Sequence, residues 1–262
     1  MSLLATADYL EGVLVLAHCL RKSGTPYPLT VLVAANLPGD VDDALTSHGI
    51  RVERVDPLPN PQGDYFPHWN HTYSKLHVFG LTQFAKIVYL DADMLVCANL
   101  DELFDRPHLS AVNSGSRLPE YADWVDMNSG LLVIEPDRAE YDRMLQTIGR
   151  LPVRDHSEQS FLHCFYPDWP TRHDLHLDHR FNMFHIHLDR YAAIHGYHTA
   201  DDTDPTRSAS ADPTMVAVIH FIGPWKPWHR DVPSPVGVLS REPPLQRRAT
   251  KLWRSRQRDA SR

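Results

Sequence analysis

The sequence contains one stretch, Lys86-Ile87-Val88-Tyr89-Leu90-Asp91-Ala92-Asp93, in which an apolar run ends abruptly at two aspartates. The apolar residues predict a buried β-strand. Side chains two apart on a strand face the same way, and open α/β sheets bind ligands at the carboxyl ends of their strands. Two close carboxylates repel unless a cation lies between them, and oxygen-rich sites suit Mg²⁺ or Mn²⁺, which also bind phosphate. The pair therefore predicts a metal clamp for a diphosphate.

The elements on the amino-terminal side of this stretch predict the fold class. Residues 3–6 and 29–34 are apolar runs with the pattern of buried strands, and residues 51–55 are predicted to form a third strand. Helical patterns over residues 8–20 and 41–46 separate the three strands. This β-α-β-α-β order indicates a parallel sheet. We therefore expect an α/β fold with a mostly parallel, Rossmann-like central sheet and helices on both faces.

A second motif lies near the carboxyl end, in His220-Phe221-Ile222-Gly223-Pro224-Trp225-Lys226-Pro227-Trp228. His220 ends an apolar strand pattern, and its imidazole could complete the coordination of the same metal. Gly223 allows the backbone to approach a phosphate, and Lys226 offers an ammonium for diphosphate charge. On its own this motif is more typical of an aromatic-rich surface turn with a histidine at the edge of the core, but together with the aspartate pair it favours the metal site.

The composition limits the number of domains and the classes of partner that the sequence predicts. The 262 residues are 42% hydrophobic and carry a net charge of −7, so we expect one globular domain over residues 1–232 and no nucleic-acid partner. Residues 233–262 predict a basic, partly helical or disordered tail. No apolar run predicts an integral membrane segment, and no leader pattern or disulfide framework is present, which favours a cytoplasmic setting. The alternative of a homodimer stays open.

Taken in order, these motifs resemble glycosyltransferase family 8, whose members include glycogenins and galactinol synthases. The resemblance extends from about Leu3 to Trp228. One departure is Ala5-Thr6-Ala7-Asp8-Tyr9, where the family commonly has Thr-Asn-Asp-x-Tyr. The motifs that carry the resemblance, besides the two quoted above, are Tyr73-Ser74-Lys75-Leu76, Asn128-Ser129-Gly130, Glu158-Gln159 and Phe181-Asn182-Met183.

The resemblance implies a GT-A fold, a UDP-sugar donor, Mn²⁺ with Mg²⁺ as the alternative, and retention of anomeric configuration. The implied metal ligands are Asp91, Asp93 and His220. The implied catalytic residues are Asp155, Gln159 and Lys226. The implied donor-binding residues are Leu4, Thr6, Tyr9, Lys75, Asp91, Ala92, Asp93, Asn128, Ser129, Gly130, Glu158, Gly223 and Lys226.

The predicted function is that of a retaining, Mn²⁺-dependent hexosyltransferase. It would move a hexose from UDP-glucose or UDP-galactose to a polyol, glycan or protein hydroxyl, with residues 57–71 and 173–198 shaping the acceptor side. One alternative is a catalytically weak nucleotide-sugar-binding protein. Another is a haloacid dehalogenase-type phosphohydrolase, which also places Asp-x-Asp after a strand. That class carries its motif near the amino terminus, with Thr or Val where this chain has Leu95.

Overall fold

The structure is a computed structural model, and it describes residues 1–61, 71–115, 118–155, 157–199, 212–229 and 243–261. The chain divides into two compact units, each built from three segments. The first unit comprises Met1–Ala7, Thr30–Asp91 and Leu103–Leu177. The second unit comprises Asp8–Leu29, Ala92–Glu102 and Asp178–Arg262.

The first unit begins with the parallel sheet that the sequence predicts. Its strands β1 (Ser2–Leu4), β2 (Thr30–Ala34) and β3 (Arg51–Val55) pair in the order β1-β2-β3, and both pairings are parallel. Every residue of β2 is buried, as expected for a strand covered on both faces. Helix α2 (Asp40–Ser47) connects β2 to β3.

A second sheet of the first unit is antiparallel, which the sequence did not predict. Strand β4 (Ile87–Leu90) pairs with β7 (Met127–Ile134), and β7 pairs with β6 (Ser110–Asn113). All eight residues of β7 are buried, including the polar Asn128-Ser129-Gly130 segment. The register continues past the end of β4, because the backbone N–H of Asp91 donates to the carbonyl of Gly130 at 2.8 Å.

Helices α3 (Arg138–Thr147) and α4 (Glu158–Phe165) and a 3-10 segment, Thr72–Gly80, complete the first unit. Their buried side chains, among them Tyr73, Phe79 and Phe161, join the strands in one hydrophobic core. Helix α4 begins at a serine cap, since the Ser157 hydroxyl accepts from the N–H of Ser160 at 3.1 Å.

The second unit contains a small mixed sheet. Strand β5 (Met94–Val96) is antiparallel to β9 (Val218–His220), and β9 is parallel to β8 (Met183–Phe184). Helices α1 (Leu10–Lys22), α5 (Leu188–His195) and α6 (Pro244–Ala260) belong to the same unit, and α1 contacts both β5 and α6.

The predicted basic tail contains helix α6, which packs rather than extending into solvent. Trp253 of α6 is fully buried, and its ring centroid lies 5.5 Å from that of Trp228. The predicted domain boundary between residues 232 and 233 falls within 230–242, outside the described residues, and so does most of the 57–71 loop, whose residues 62–70 are not described.

Candidate functional site

A buried lysine organises the polar residues of the first unit. The Lys75 ammonium lies 2.7 Å from Glu158 Oε1 and 3.0 Å from Asp91 Oδ1, and it donates to the Ser129 carbonyl at 3.2 Å. Burial alone would lower the pKa of Lys75, but the two carboxylates outweigh it and raise the pKa above its ordinary value. Burial opposes ionisation of Glu158 in the same way, and Lys75 holds the Glu158 pKa below its ordinary value. Both groups are therefore charged at neutral pH.

Strand β7 and helix α4 supply the neutral part of this group. The Gln159 side-chain oxygen accepts from the Ser129 N–H at 2.9 Å, and the Asn128 side-chain oxygen accepts from the Gly130 N–H at 2.9 Å. The Tyr89 hydroxyl donates to Asp91 Oδ1 at 2.9 Å. The first unit therefore brings together seven of the predicted site residues: Lys75, Asp91, Asn128, Ser129, Gly130, Glu158 and Gln159.

Asp155, a predicted catalytic residue, is engaged at the start of helix α4. Its Oδ1 atom accepts from the backbone N–H of Ser157 at 3.1 Å and from the Ser157 hydroxyl at 2.7 Å. Burial would raise the Asp155 pKa, but bonds from Ser160 and Ser157 outweigh it and lower the pKa. The carboxylate thus supports the cap of the helix that carries Glu158 and Gln159.

The second unit places Asp93 and His220 side by side. Met94 and His220 are paired residues of the antiparallel β5–β9 ladder, and the Phe221 N–H donates to the Asp93 carbonyl at 3.0 Å. Asp93 Oδ1 consequently lies 3.2 Å from His220 Nε2, with both side chains buried. Lys226 donates to Asp93 Oδ2 and, at 2.7 Å, to the Phe221 carbonyl.

The environment of this pair favours a positive charge between its members. Burial would raise the Asp93 pKa, but His220 and Lys226 outweigh it and hold the pKa well below its ordinary value. His220 Nδ1 lies 2.9 Å from Asn182 Oδ1, an arrangement in which Nδ1 carries the proton and donates. With Nδ1 engaged by Asn182, Nε2 is the ring nitrogen that faces Asp93, and it is the atom that could ligate a metal ion.

The predicted metal ligands occur as one group. Asp91, Asp93 and His220 each offer one ligand atom, and these three atoms lie within 4.8 Å of one another. Two carboxylate oxygens and one imidazole nitrogen form a donor set that suits Mn²⁺ and tolerates Mg²⁺ less well, because Mg²⁺ prefers oxygen. The residues therefore fit a divalent cation.

The remaining predicted donor residues are more scattered. Leu4 is fully buried in β1, so only its backbone could contact a ligand. Thr6 is half-buried. In the second unit, the centroid of the Tyr9 ring lies 5.4 Å from the centroid of the Trp228 ring. The Lys226 ammonium lies 5.6 Å from the same Tyr9 centroid. Gly223 has a φ of 86°, the left-handed conformation that favours glycine.

Sequence reasoning missed three residues that support the site. Asn182 belongs to the Phe181-Asn182-Met183 motif and Tyr89 is the penultimate residue of strand β4, but the motifs indicate no role for either residue. Gly12 lies outside the predicted motifs, although a Cβ there would collide with the Ala92 carbonyl and lie 3.0 Å from Trp228. Its absent side chain lets α1 pack directly against the backbone between the two aspartates.

Residues 1–232 match the sequence model of Glycosyl transferase family 8. The chain belongs to glycosyltransferase family 8. This membership confirms the resemblance read from the motifs and sets aside the phosphohydrolase alternative.

The relatives are glycosyltransferases of more than one kind. The chain is 33% identical over 237 residues to glycogenin-1 of Caenorhabditis elegans, covering 86% of this chain and 50% of the relative. It is 33% identical over 187 residues to galactinol synthase 1 of Solanum lycopersicum, covering 63% and 59%. The chain therefore spans less than two thirds of the length of either relative.

Solved structures confirm the GT-A fold. An active-site mutant of LgtC superposes with a TM-score of 0.59 at 20% identity, covering 97% of this chain and 95% of that one. At this identity the likeness concerns the fold alone. Among the residues that the structure describes, no helix is both long and apolar enough to cross a membrane.

Proposed function

We propose that this family 8 chain is a metal-dependent, retaining hexosyltransferase that takes its sugar from a nucleoside diphosphate donor, UDP-glucose or UDP-galactose, and passes it to a hydroxyl group. The observation that carries the proposal is the group of Asp91, Asp93 and His220, whose three ligand atoms lie within 4.8 Å of one another. Family membership and the similarity to glycogenin-1 and galactinol synthase 1 support the enzyme class.

Asp91, Asp93 and His220 are the proposed ligands of a Mn²⁺ ion. When bound, the ion would stabilise the negative charge that develops on the diphosphate as the sugar leaves. Lys226 would add a second positive charge to that leaving group, and its buried ammonium already lies beside Asp93. Gly223 would admit the diphosphate close to the backbone, because its left-handed turn carries no side chain.

The polar residues of the first unit are the proposed sugar-binding group. Asn128, Ser129, Gly130 and Gln159 offer amide, hydroxyl and backbone groups of the kind that bind sugar hydroxyls. The Lys75–Glu158 ion pair holds Ser129 by hydrogen bonds at 3.3 Å and 2.7 Å to its hydroxyl. Thr6, Tyr9 and the Leu4 backbone are the proposed contacts of the nucleoside.

The partners of the two acidic candidates favour attack from the leaving-group side. A double displacement needs a carboxylate nucleophile on the far face of the sugar. Asp155 Oδ1 is hydrogen-bonded to Ser157, and Glu158 Oε1 is held by Lys75 and Ser129. In the proposed reaction the acceptor oxygen bonds to the anomeric carbon as the bond to phosphate breaks, and the leaving phosphate takes the acceptor proton.

The test is to incubate the full chain with Mn²⁺ and a panel of UDP-sugars, and to measure both released UDP and intact protein mass. The proposal predicts Mn²⁺-dependent UDP release from one hexose donor. A mass gain in hexose steps would identify the protein itself as acceptor, whereas UDP release without mass gain means an external acceptor or water. Donor binding with no UDP release would instead identify a nucleotide-sugar-binding protein.

A further inference from the structure

The loop that precedes β7 exposes three large apolar side chains close together. Tyr121 is 40% exposed, Trp124 48% and Val125 44%, and they are half of the exposed large hydrophobic residues that the structure describes. Single exposed apolar residues are ordinary, but a local group of this kind is typical of a binding surface.

The loop is held in one conformation by its own backbone. The Gly115 N–H donates to the Trp124 carbonyl at 2.9 Å, and the Trp124 N–H donates to the Tyr121 carbonyl at 2.9 Å. A Cβ on Gly115 would lie 2.6 Å from the Trp124 Cβ, and the side chain of Leu118 in the same loop is fully buried. A fixed aromatic surface loses little conformational entropy when a ligand binds.

The base of the loop is hydrogen-bonded to the proposed sugar-binding residues. The Ser114 N–H donates to the Asp126 carbonyl at 2.7 Å, and the Ser114 hydroxyl donates to the Met127 carbonyl at 3.0 Å. The same hydroxyl accepts from the Gln159 side-chain amide at 3.4 Å, while the Gln159 oxygen accepts from Ser129. One serine therefore joins the aromatic loop to the glutamine that we assign to the donor sugar.

The charge of the loop selects the kind of ligand. Residues 118–126 contain Glu120, Asp123 and Asp126 and no basic residue. Carboxylates repel a diphosphate but accept hydrogen bonds from hydroxyl groups. An aromatic face beside such acceptors matches a neutral sugar ring, whose C–H groups pack on the ring while its hydroxyls bond to the carboxylates.

We propose that residues 118–126 form the acceptor subsite, and that the acceptor is a neutral glycan whose pyranose ring stacks on Trp124. The inference rests on the proposed glycosyltransferase function and adds the acceptor class to it. It assigns the acceptor to a segment outside residues 57–71 and 173–198, where the sequence had placed it.

The experiment measures UDP release by the full chain at saturating donor and Mn²⁺, with and without maltohexaose or lactose. We expect at least one of these glycans to accelerate release. Trp124→Ala should raise the KM for that glycan about tenfold, the scale of one lost aromatic stacking contact, and should change the KM for the donor much less. Trp124→Phe should recover much of the loss, and Tyr27→Ala, which removes another exposed aromatic ring, should behave as wild type.

The outcomes of this experiment distinguish a failure of the glycan subsite from a failure of the proposed transferase function. Donor hydrolysis that neither glycan accelerates would overturn the glycan subsite while leaving the transferase function standing. An unchanged glycan KM in Trp124→Ala would also overturn it. If the wild-type chain shows no Mn²⁺-dependent donor hydrolysis at all, the proposed function itself fails.

Discussion

At the scale of single residues, the orientation of His220 depends on one amide. Asn182 lies 38 positions earlier in the chain and bonds to His220 Nδ1 at 2.9 Å. Partners of this kind fix the tautomer of a ligating histidine. We expect Asn182→Ala to weaken Mn²⁺ binding about 10- to 100-fold, measured from the Mn²⁺ dependence of donor hydrolysis.

A matched control exists in the same unit. Asn99 is half-buried, whereas Asn182 is buried, and the Asn99 amide donates to the Ser23 carbonyl at 3.2 Å and to Asp101 at 3.1 Å. Asn99→Ala should leave the Mn²⁺ dependence unchanged. Equal weakening of Mn²⁺ binding by both substitutions would show a general loss of packing instead of a specific role for Asn182.

Lys226 allows a second prediction at this scale. Its ammonium would act chiefly on charge that develops as the diphosphate leaves, so Lys226→Ala should lower kcat about 100-fold and change the donor dissociation constant much less. Rapid-quench turnover and equilibrium UDP-sugar binding would be measured on the same preparation. Equal losses in turnover and binding would assign Lys226 to ground-state binding alone.

The metal-ligating and charged residues of the candidate site could be predicted from the sequence, whereas the residues that hold them in place by hydrogen bonds could not. Asp91, Asp93, His220 and Lys226 stand at strand ends or in a glycine turn, where chemistry is visible in the pattern. Asn182 and Tyr89 act only through a hydrogen bond to another side chain. Such bonds depend on which strands become neighbours, and that information is absent from local sequence.

At the scale of elements, helix α4 is linked to the 3-10 segment by the Lys75–Glu158 ion pair. The Glu158 pKa is held below its ordinary value of 4.5, so this pair stabilises the fold above about pH 4.5 and loses its effect as the pH falls through the lowered pKa. Glu158→Gln should reduce the free energy of unfolding at pH 7 by about 3 kcal/mol. Its stability should also fall less steeply than wild type below pH 4.5, as measured by urea unfolding at a series of pH values.

An exposed ion pair in the same unit provides the comparison. Lys86 lies 3.0 Å from Glu135, whose side chain is 53% exposed. Glu135→Gln should change stability by less than about 1 kcal/mol. The account of Glu158 would be wrong if both substitutions gave the same small loss and parallel acid transitions.

Helix α1 depends on Gly12 for its approach to the aspartate segment. A methyl group there would collide with the Ala92 carbonyl and with Trp228. Gly12→Ala should therefore lower the free energy of unfolding by about 1–3 kcal/mol, despite the better helix propensity of alanine. Gly39→Ala, where a Cβ meets nothing within 4 Å, should cost less, and equal urea midpoints for the two variants would contradict the assignment.

Element prediction succeeded where the apolar pattern was uninterrupted. Strands β2 and β4 lie within one residue of their expected bounds. The polar segment Asn128-Ser129-Gly130 breaks the apolar pattern of strand β7 while staying buried, so the local pattern does not show where that strand begins. A 3-10 turn, Ala7–Tyr9, leads into α1, so the predicted helical pattern over residues 8–20 begins two residues before the helix itself.

At the scale of the whole molecule, the sequence identified the family and the fold class but not the antiparallel strand pairs. A parallel β-α-β order can be read along the chain, whereas β5 and β9 are separated by more than one hundred residues. The packing of α6 could not be predicted from the sequence either, because basic residues dominate its pattern and its large, fully buried side chain is that of Trp253.

We expect Asp91, Asp93 and His220 to bind together the cation that a nucleotide-sugar donor requires. This binding can be measured by titrating the full chain with Mn²⁺ in the presence of UDP and following free Mn²⁺ by electron paramagnetic resonance. The wild-type chain should remove Mn²⁺ from solution, and Asp91→Asn and His220→Ala, both still folded by circular dichroism, should do so far more weakly. Wild-type Mn²⁺ affinity in the two variants would contradict this expectation.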